Sequence, residues 1–256
     1  MPYPTVPYVL AAPGYLAGGG DWEHLTKWLL RGHGWQDVST IDQHTALASP
    51  DGRLHLTLSR RGAWTWSLRA TATAPAGREW AAILGAHLPV EYVTALVDAM
   101  LGPDSRHRPD VLGPLHAAGW NADAAASTLT AVSPDGLVRF TEETALSPTR
   151  GPWHAACTVD GHTWWTATFS THTPPGVVAA FTRTLASPDP LPRMAIGTPL
   201  YGCGPYTRLT QTPHSYDDEQ ALLEARIAEA RGRRFAGASP AALPPSTGRP
   251  PLGRPR

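Results

Sequence analysis

The four-residue sequence Ser-Pro-Asp-Gly occurs twice in this chain of 256 residues. The first copy begins at Ser49 and the second at Ser133, 84 residues later. In such a sequence the proline presets the backbone for a tight turn, the glycine accepts positive φ, and the aspartate can bond its own backbone. We therefore predict that Asp51 and Asp135 have structural roles in two equivalent hairpin turns.

The segments around the two turns also match each other at a nearly constant spacing. Pairs separated by 85 residues are Trp35 and Trp120, Trp80 and Trp165, Leu84 and Phe169, His87 and His172, and Pro89 and Pro174. Trp153 lies near the place that corresponds to either Trp64 or Trp66. A spacing that persists across a turn, several strands and a helix indicates a tandem duplication.

Hydrophobic periodicity predicts what each copy forms. Leu54, Leu56 and Leu58 alternate with polar residues, which is typical of a half-buried strand. Val93 and Leu96 begin an apolar stripe at helical spacing. The predicted fold class is α+β, in which two tandem helix–four-stranded antiparallel sheet–helix units pack as a pseudo-twofold pair.

Composition shifts predict where these units begin and end. A polar stretch separates the two copies. After the second copy the chain is rich in Pro, Gly and Thr, and its end has the composition of a disordered segment. The predicted segments are a first repeat with an N-terminal extension at 1–102, a second repeat at 111–187, an extended connector at 188–215, a helix at 216–231, and a disordered Pro/Arg tail at 232–256.

Several of these features together resemble one known family. They are Tyr-Leu-Ala-Gly-Gly-Gly-Asp at 15–21, Gly-Trp after a helix, the Ser-Pro-Asp turn, a Trp-containing strand, and a helix that starts at Thr173-Pro174 with Thr173 as its N-cap. This pattern resembles the SPDY family, an actinomycete family of unknown function that often has two copies per chain. The resemblance spans residues 8–190, but Gly rather than Tyr follows the aspartate in both turns, and Leu88 precedes the proline in the first copy. It implies an actinomycete cytoplasmic protein and assigns no activity to any residue.

Charge and cysteine content narrow the function classes. The formal net charge is +0, so the whole molecule has no strong attraction to nucleic acid or to a membrane surface. Lys27 is the single lysine among 21 basic residues, which is typical of codon bias in a GC-rich genome. Cys157 and Cys203 do not form a disulfide framework, no signal peptide is visible, and no apolar run is long enough to span a membrane. We therefore expect a cytoplasmic protein.

The sequence contains none of the common catalytic or cofactor motifs. The glycine-rich stretch 14–20 has neither G-x-G-x-x-G nor a Gly-Lys-Ser/Thr ending, so it is interpreted as a connector rather than a phosphate loop. H-E-x-x-H and G-x-S-x-G are absent as well. We predict no catalytic, cofactor-binding or metal-binding residues, and no cofactor.

Three kinds of reactive side chain, histidine, cysteine and glutamate, are candidates for a site and are given structural interpretations. His87 and His172 are expected to bond at strand–helix junctions, and Cys157 to be a small buried residue in a strand. The pair Glu142 and Glu143 is expected in a solvated hairpin loop.

The ten tryptophans are the most unusual part of the composition. Adjacent side chains in a strand point to opposite faces of the sheet. We therefore expect that the ring of either Trp164 or Trp165 faces outward. Trp64 and Trp66 share a face and are expected in the core. The predicted partner-binding residues are Trp80, Trp164 and Trp165 on the sheet, with Arg231, Arg233 and Arg234 at the start of the basic tail.

The leading hypothesis is a non-enzymatic binding or adaptor protein that uses these sheet aromatics to contact a macromolecular partner, most readily a protein. One alternative is a nucleic-acid-binding accessory protein, because arginines and aromatic rings also bind single strands. Another alternative is an enzyme of unrecognised class. The oligomeric state stays open.

Overall fold

Thirteen strands and five α-helices make up the part of the chain that the computed structural model describes, namely residues 6–40, 44–59, 64–71, 78–85, 87–102, 109–125, 128–143, 152–195 and 205–237. The helices are α1 (Trp22–Lys27), α2 (Val90–Leu101), α3 (Gly113–Ala117), α4 (Pro175–Ala186) and α5 (Tyr216–Gly237). A π-helical segment, Trp28–His33, continues α1, and a 3₁₀ turn, Gly14–Leu16, precedes it. The strands are β1 (Pro7–Ala12), β2 (Gln36–Asp37), β3 (His44–Ala48), β4 (Leu54–Ser59), β5 (Thr65–Ala70), β6 (Trp80–Gly85), β7 (Asn121–Ala125), β8 (Thr128–Val132), β9 (Val138–Glu143), β10 (Trp153–Val159), β11 (His162–Phe169), β12 (Leu191–Met194) and β13 (Arg208–Ser215).

The two repeats share one antiparallel sheet of ten strands, in the order β2-β3-β4-β5-β6-β11-β10-β9-β8-β7. They meet where β6 pairs with β11, and Ile83 lies opposite Thr168 at the centre of that pairing. These two residues are equivalent in the duplication, being 85 positions apart. The register is therefore symmetric about this pair, and the duplication produces one continuous sheet with α2 and α4 in contact beside each other.

Each repeat contributes five strands to this sheet, not the four that the sequence pattern predicts. The additional strands are β2 and β7, which form the two outer edges. β2 has two residues, and β7 has the sequence Asn-Ala-Asp-Ala-Ala. Neither carries the β-branched and aromatic residues that mark a strand, so their pairing depends on the neighbouring strand.

Alternation along the strands places one face of the sheet against the helices. Leu54, Leu56 and Leu58 are buried, whereas the residues between them are partly exposed. Trp66 lies opposite Leu58, and Trp153 lies opposite Glu142, which stands 84 positions after Leu58. The register therefore makes Trp153 the counterpart of Trp66.

The Thr-Pro step at the start of α4 differs from the sequence expectation. The N-cap position is Pro174, and no side chain caps the helix. The Thr173 hydroxyl instead donates to the carbonyl of Ala81 at 3.5 Å, and the Ala81 N–H donates to the Ser170 hydroxyl at 2.9 Å. Thr173 thus helps to bind the second repeat to β6 of the first, because the repeats meet at this point.

The predicted connector at 188–215 contains two strands and is not simply extended. β12 and β13 both pair antiparallel with β1, which gives a second sheet in the order β12-β1-β13. The following helix α5 continues to Gly237, six residues beyond the predicted end at Arg231. The rest of the predicted tail, from residue 238 on, lies outside the described residues, and so does Cys203.

Both Ser-Pro-Asp-Gly sequences form the same hydrogen-bonded turn. In the first, the Ser49 hydroxyl donates to Asp51 at 2.6 Å and accepts the N–H of Leu54 at 2.9 Å. The equivalent bonds of Ser133 to Asp135 and Val138 have the same lengths. Gly52 and Gly136 adopt φ of 69° and 76°, a region that favours glycine.

One bond distinguishes the second turn. The Tyr15 hydroxyl donates to the second carboxylate oxygen of Asp135 at 2.5 Å. Burial and this bond raise the pKa of Tyr15, so the hydroxyl stays protonated and able to donate. The N-terminal segment is thereby attached to the second repeat.

We expect Ser133→Ala to lower the free energy of unfolding by about 2 kcal/mol, because it leaves a buried backbone N–H of Val138 without its acceptor. Urea denaturation measures the change. The matched control is Ser187→Ala, which removes a serine that also donates to an aspartate two residues later but in an exposed loop. The control should change stability by less than about 0.5 kcal/mol. Equal losses in the two variants would contradict the structural role of the turn.

Candidate functional site

A groove of about 770 Å³ lies on the helix-covered side of the first repeat. This volume is within the range of about 300–1,000 Å³ that is typical of ligand sites. We call it the α2–α5 groove. Its lining residues are Tyr8, Gly19, Gly20, Asp21, Trp22, His24, Leu25, Leu58, Trp64, Trp66, His87, Val90, Glu91, Thr94, Ala95, Asp98, Pro192, Arg193, Met194, Glu219, Leu222, Leu223 and Arg226.

The groove is built from both ends of the chain. The first repeat supplies α1, α2 and the side chains of Leu58, Trp64 and Trp66 on the sheet. β12 and α5, which follow the second repeat in sequence, supply the opposite side of the groove with Pro192, Arg193, Met194, Glu219, Leu222, Leu223 and Arg226. α5 packs against the π-helical segment that continues α1, which returns the C-terminal part of the chain to the first repeat.

Arg193 holds these parts together. Its side chain is 3% exposed and its guanidinium binds both carboxylate oxygens of Glu91, at 2.7 and 2.9 Å. The same guanidinium donates to the carbonyls of Ala17, Gly18 and Pro192 at 2.8, 3.1 and 2.6 Å. These bonds join β12, α2 and the glycine-rich segment into one rigid wall of the groove.

The same packing explains the glycine-rich segment. Gly20 has φ of 74°, and a Cβ at this position would lie 3.1 Å from both the Arg193 guanidinium carbon and a methyl of Val90. The backbone can approach these side chains closely because it carries no side chain of its own. The segment thus binds an arginine of the same chain, which agrees with its interpretation as a connector.

Among the lining residues that the structure describes, acidic groups outnumber basic ones. The lining contains four carboxylates, of Asp21, Glu91, Asp98 and Glu219, and two guanidinium groups, of Arg193 and Arg226. Glu91 pairs with Arg193, and Asp98 accepts a bond from Arg226 at 2.6 Å.

The other two carboxylates lie at one end of the groove and have histidines as partners. Asp21 is 3.3 Å from His24, and Glu219 lies 3.7 Å from His24 and 2.6 Å from His214. Burial, followed by the charges of Glu219 and Asp21, raises the pKa of nearby Tyr8 to about 12. Two carboxylates and two histidines therefore meet at this end of the groove.

Large apolar side chains are exposed around the rest of the groove. Leu222 is 59% exposed, Trp64 42% and Met194 36%. Leu222 lies on α5, Met194 on β12, and Trp64 immediately before β5, so they come from three different parts of the chain around one concavity. Single exposed apolar residues are ordinary, but a cluster around a concave surface indicates a binding surface.

Two of the tryptophans predicted to bind a partner lie in the core. Trp80 is 6% exposed and Trp165 is 2% exposed, and the Trp165 indole N–H donates to the carbonyl of Tyr15 at 2.8 Å. Trp164 is half-buried. Its ring stacks on that of His87, with the ring centroids 4.1 Å apart and an angle of 11° between the ring planes. The core face of the sheet is covered by helices, so neither Trp80 nor Trp165 presents a ring to a partner.

The predicted arginines lie in the last third of α5 and do not join the tryptophans. Arg231 donates to the carbonyl of Arg31, Arg233 pairs with Glu229, and Arg234 lies over the ring of Phe235. None of the three lines the groove. They belong to the helix itself, because α5 extends past the predicted start of the tail.

The remaining candidates are dispersed. His172 is exposed, Cys157 is fully buried in β10, and Glu142 and Glu143 are partly buried at the end of β9. Burial lowers the pKa of His87, which lines the groove. Across the described ranges, no group of three His, Cys, Asp or Glu side chains is arranged to hold a metal ion.

Sequence reasoning missed the residues that shape the groove, above all Arg193, Glu219 and Leu222. Arg193 stands in a proline-rich stretch, and the charged face of α5 is typical of a solvated helix. The one available signal was the thin apolar stripe of α5 through Leu223 and Ile227, which indicates that this helix packs on something.

Comparison with known proteins identifies the repeated unit. The model of the SPDY domain, described as a domain of unknown function (DUF317), matches residues 48–106 and 132–191. No curated protein and no solved structure matches the chain. Among the helices described, none is both long and apolar enough to cross a bilayer. The matched regions run from the Ser-Pro-Asp turns through α2 and α4, whereas α1 and α5 lie outside them. Two regions of the chain, in tandem, are therefore similar to the SPDY domain.

Proposed function

We propose that this chain is a binding module that holds a segment of a partner protein in the α2–α5 groove. The observation that supports it is the cluster of exposed apolar side chains around that groove, formed by Leu222, Trp64 and Met194. This proposal keeps the binding role expected from the sequence and assigns it to the groove instead of to the sheet tryptophans.

The walls of the groove support a preformed site. Arg193 uses its guanidinium to join β12 to α2 and to the glycine-rich segment. A second ion pair, between Asp98 and Arg226, connects α2 to α5 across the groove. A site that is rigid before binding requires less ordering on association, which favours affinity.

The exposure of the rim favours a polypeptide over a small molecule. A small ligand in a pocket is mostly enclosed by it, whereas Leu222 stands at the edge with more than half of its surface in water. A peptide segment that lies along α5 would cover the Leu222 side chain together with that of Trp64. Aromatic and methionine side chains such as those of Trp64 and Met194 are enriched in the centres of protein interfaces.

We expect Leu222→Glu to weaken partner binding at least about tenfold, because it places a charge on the apolar rim. A displayed library of random dodecapeptides is selected on the wild-type protein, and the enriched peptides are measured by fluorescence polarisation. The matched control is Leu209→Glu, at a leucine of β13 that is 48% exposed and outside the groove.

The control should bind the selected peptides as the wild type does. Circular dichroism confirms that both variants fold. If no peptide is enriched, or if the enriched peptides bind all three proteins equally, the groove is not the binding site.

A further inference from the structure

The excess of negative charge in the α2–α5 groove is confined to one end. Glu91 and Asp98 each pair with an arginine, whereas the carboxylates of Asp21 and Glu219 have histidines as partners. The Glu219 side chain is 16% exposed and that of Asp21 is 28% exposed. Both are partly removed from water, which strengthens their interaction with a charge that enters the groove.

These two carboxylates lie on different elements and flank His24. Asp21 is the N-cap of α1, where one oxygen accepts the N–H of Glu23 at 2.9 Å and the other lies 3.3 Å from His24. Glu219 belongs to the first turn of α5. Burial, and after it the charges of Glu219 and Asp21, raise the pKa of nearby Tyr8.

We infer that this end of the groove is a subsite for a basic side chain, arginine or lysine, of the partner segment. The inference rests on the proposed function and specifies what the partner carries. A guanidinium presents several donors in one plane and suits carboxylates on two sides. Apolar neighbours of the basic residue then lie along Leu222 and Trp64, so the recognised segment combines one cation with apolar residues.

The alternative occupants have different charges. A neutral apolar helix would gain from the rim but would bring no cation to Asp21 and Glu219 while covering them, and removing carboxylates from water costs free energy. An acidic segment would be repelled. Charge complementarity therefore favours a basic segment of a partner protein.

The test compares an acetylated and amidated peptide, Ala-Leu-Leu-Arg-Leu-Ala, with the same peptide in which citrulline replaces arginine. Citrulline is a neutral analogue of nearly the same shape, so the pair isolates the charge. We expect the arginine peptide to bind the full chain about tenfold more tightly at low salt, and the difference to shrink as salt rises. Fluorescence polarisation of labelled peptides measures both affinities.

Two variants locate the effect. Asp21→Asn and Glu219→Gln should each reduce the preference for arginine over citrulline by several-fold. Asp217→Asn is the control, because Asp217 is an exposed carboxylate in the same turn of α5 and lies outside the groove. Thermal unfolding of each variant separates loss of binding from loss of fold.

The outcomes distinguish this inference from the proposed function. If both peptides bind equally and Leu222→Glu weakens both, the groove binds peptides but the basic subsite is wrong. If neither peptide binds and the library selection also fails, the proposed function itself is wrong. If the arginine peptide binds only after residues 238–256 are removed, the occupant is the chain's own basic tail and not a partner.

Discussion

Arg193→Ala is expected to lower the free energy of unfolding by about 3–5 kcal/mol, the cost of removing one partner of a buried ion pair. The Arg193 side chain is 3% exposed and bonds the Glu91 carboxylate and the carbonyls of Ala17, Gly18 and Pro192. Its removal leaves the buried carbonyls of Ala17 and Gly18 without these donors and the partly exposed Glu91 carboxylate without its cation. Chemical denaturation measures the change, and peptide binding should fall with it because one wall of the groove depends on β12.

A conservative variant of Arg193 and a control at an exposed arginine test this expectation further. Arg193→Lys should recover part of the stability, because an ammonium has three donors where the guanidinium has five. Arg69→Ala removes an exposed arginine of β5 and should change stability by less than about 0.5 kcal/mol. A loss below about 1 kcal/mol in Arg193→Ala would show that Arg193 does not hold the C-terminal part of the chain to the first repeat.

Trp165→Ala is expected to lower the free energy of unfolding by about 3–5 kcal/mol, the usual cost of removing a large aromatic side chain from a core. The ring is 2% exposed, packs near Tyr92, and donates its N–H to the carbonyl of Tyr15. The variant therefore loses burial and leaves that carbonyl without its donor. Thermal and chemical denaturation report the loss.

Trp64→Ala provides the comparison, because Trp64 is 42% exposed at the rim of the groove. It should cost about 1 kcal/mol or less in stability and weaken peptide binding instead. The opposite pattern, with Trp165→Ala stable but deficient in binding, would restore the sheet tryptophan as a partner-binding residue and contradict the core position.

Local patterns accounted for the duplication and for its turns. In Ser-Pro-Asp-Gly the proline and glycine define the turn backbone and the serine and aspartate satisfy its donors, so the geometry follows from four neighbouring residues. The alternation from Leu54 to Leu58 likewise requires nothing beyond the period of a strand. The family model matches the same two regions, which confirms the tandem repeat.

The candidate site was less accessible from the sequence. The helix α5 was expected from the sequence, but nothing near Glu219 indicates that it approaches Asp21. The tryptophans illustrate the same limit. Alternation separates Trp164 from Trp165, yet which face is covered by helices depends on how the whole sheet packs.

The sequence by itself determined the repeating unit, its turns and the apolar face of each strand, because these depend on backbone angles and side-chain periodicity over a few residues. The tertiary structure decided that the repeats join through β6 and β11, and that β12 and α5 return to the first repeat. Those contacts join residues as far apart in sequence as Ala17 and Arg193. These contacts form when β12 and β13 pair with β1 and the Arg193 guanidinium donates to its acceptors. The α2–α5 groove exists because of that long-range pairing.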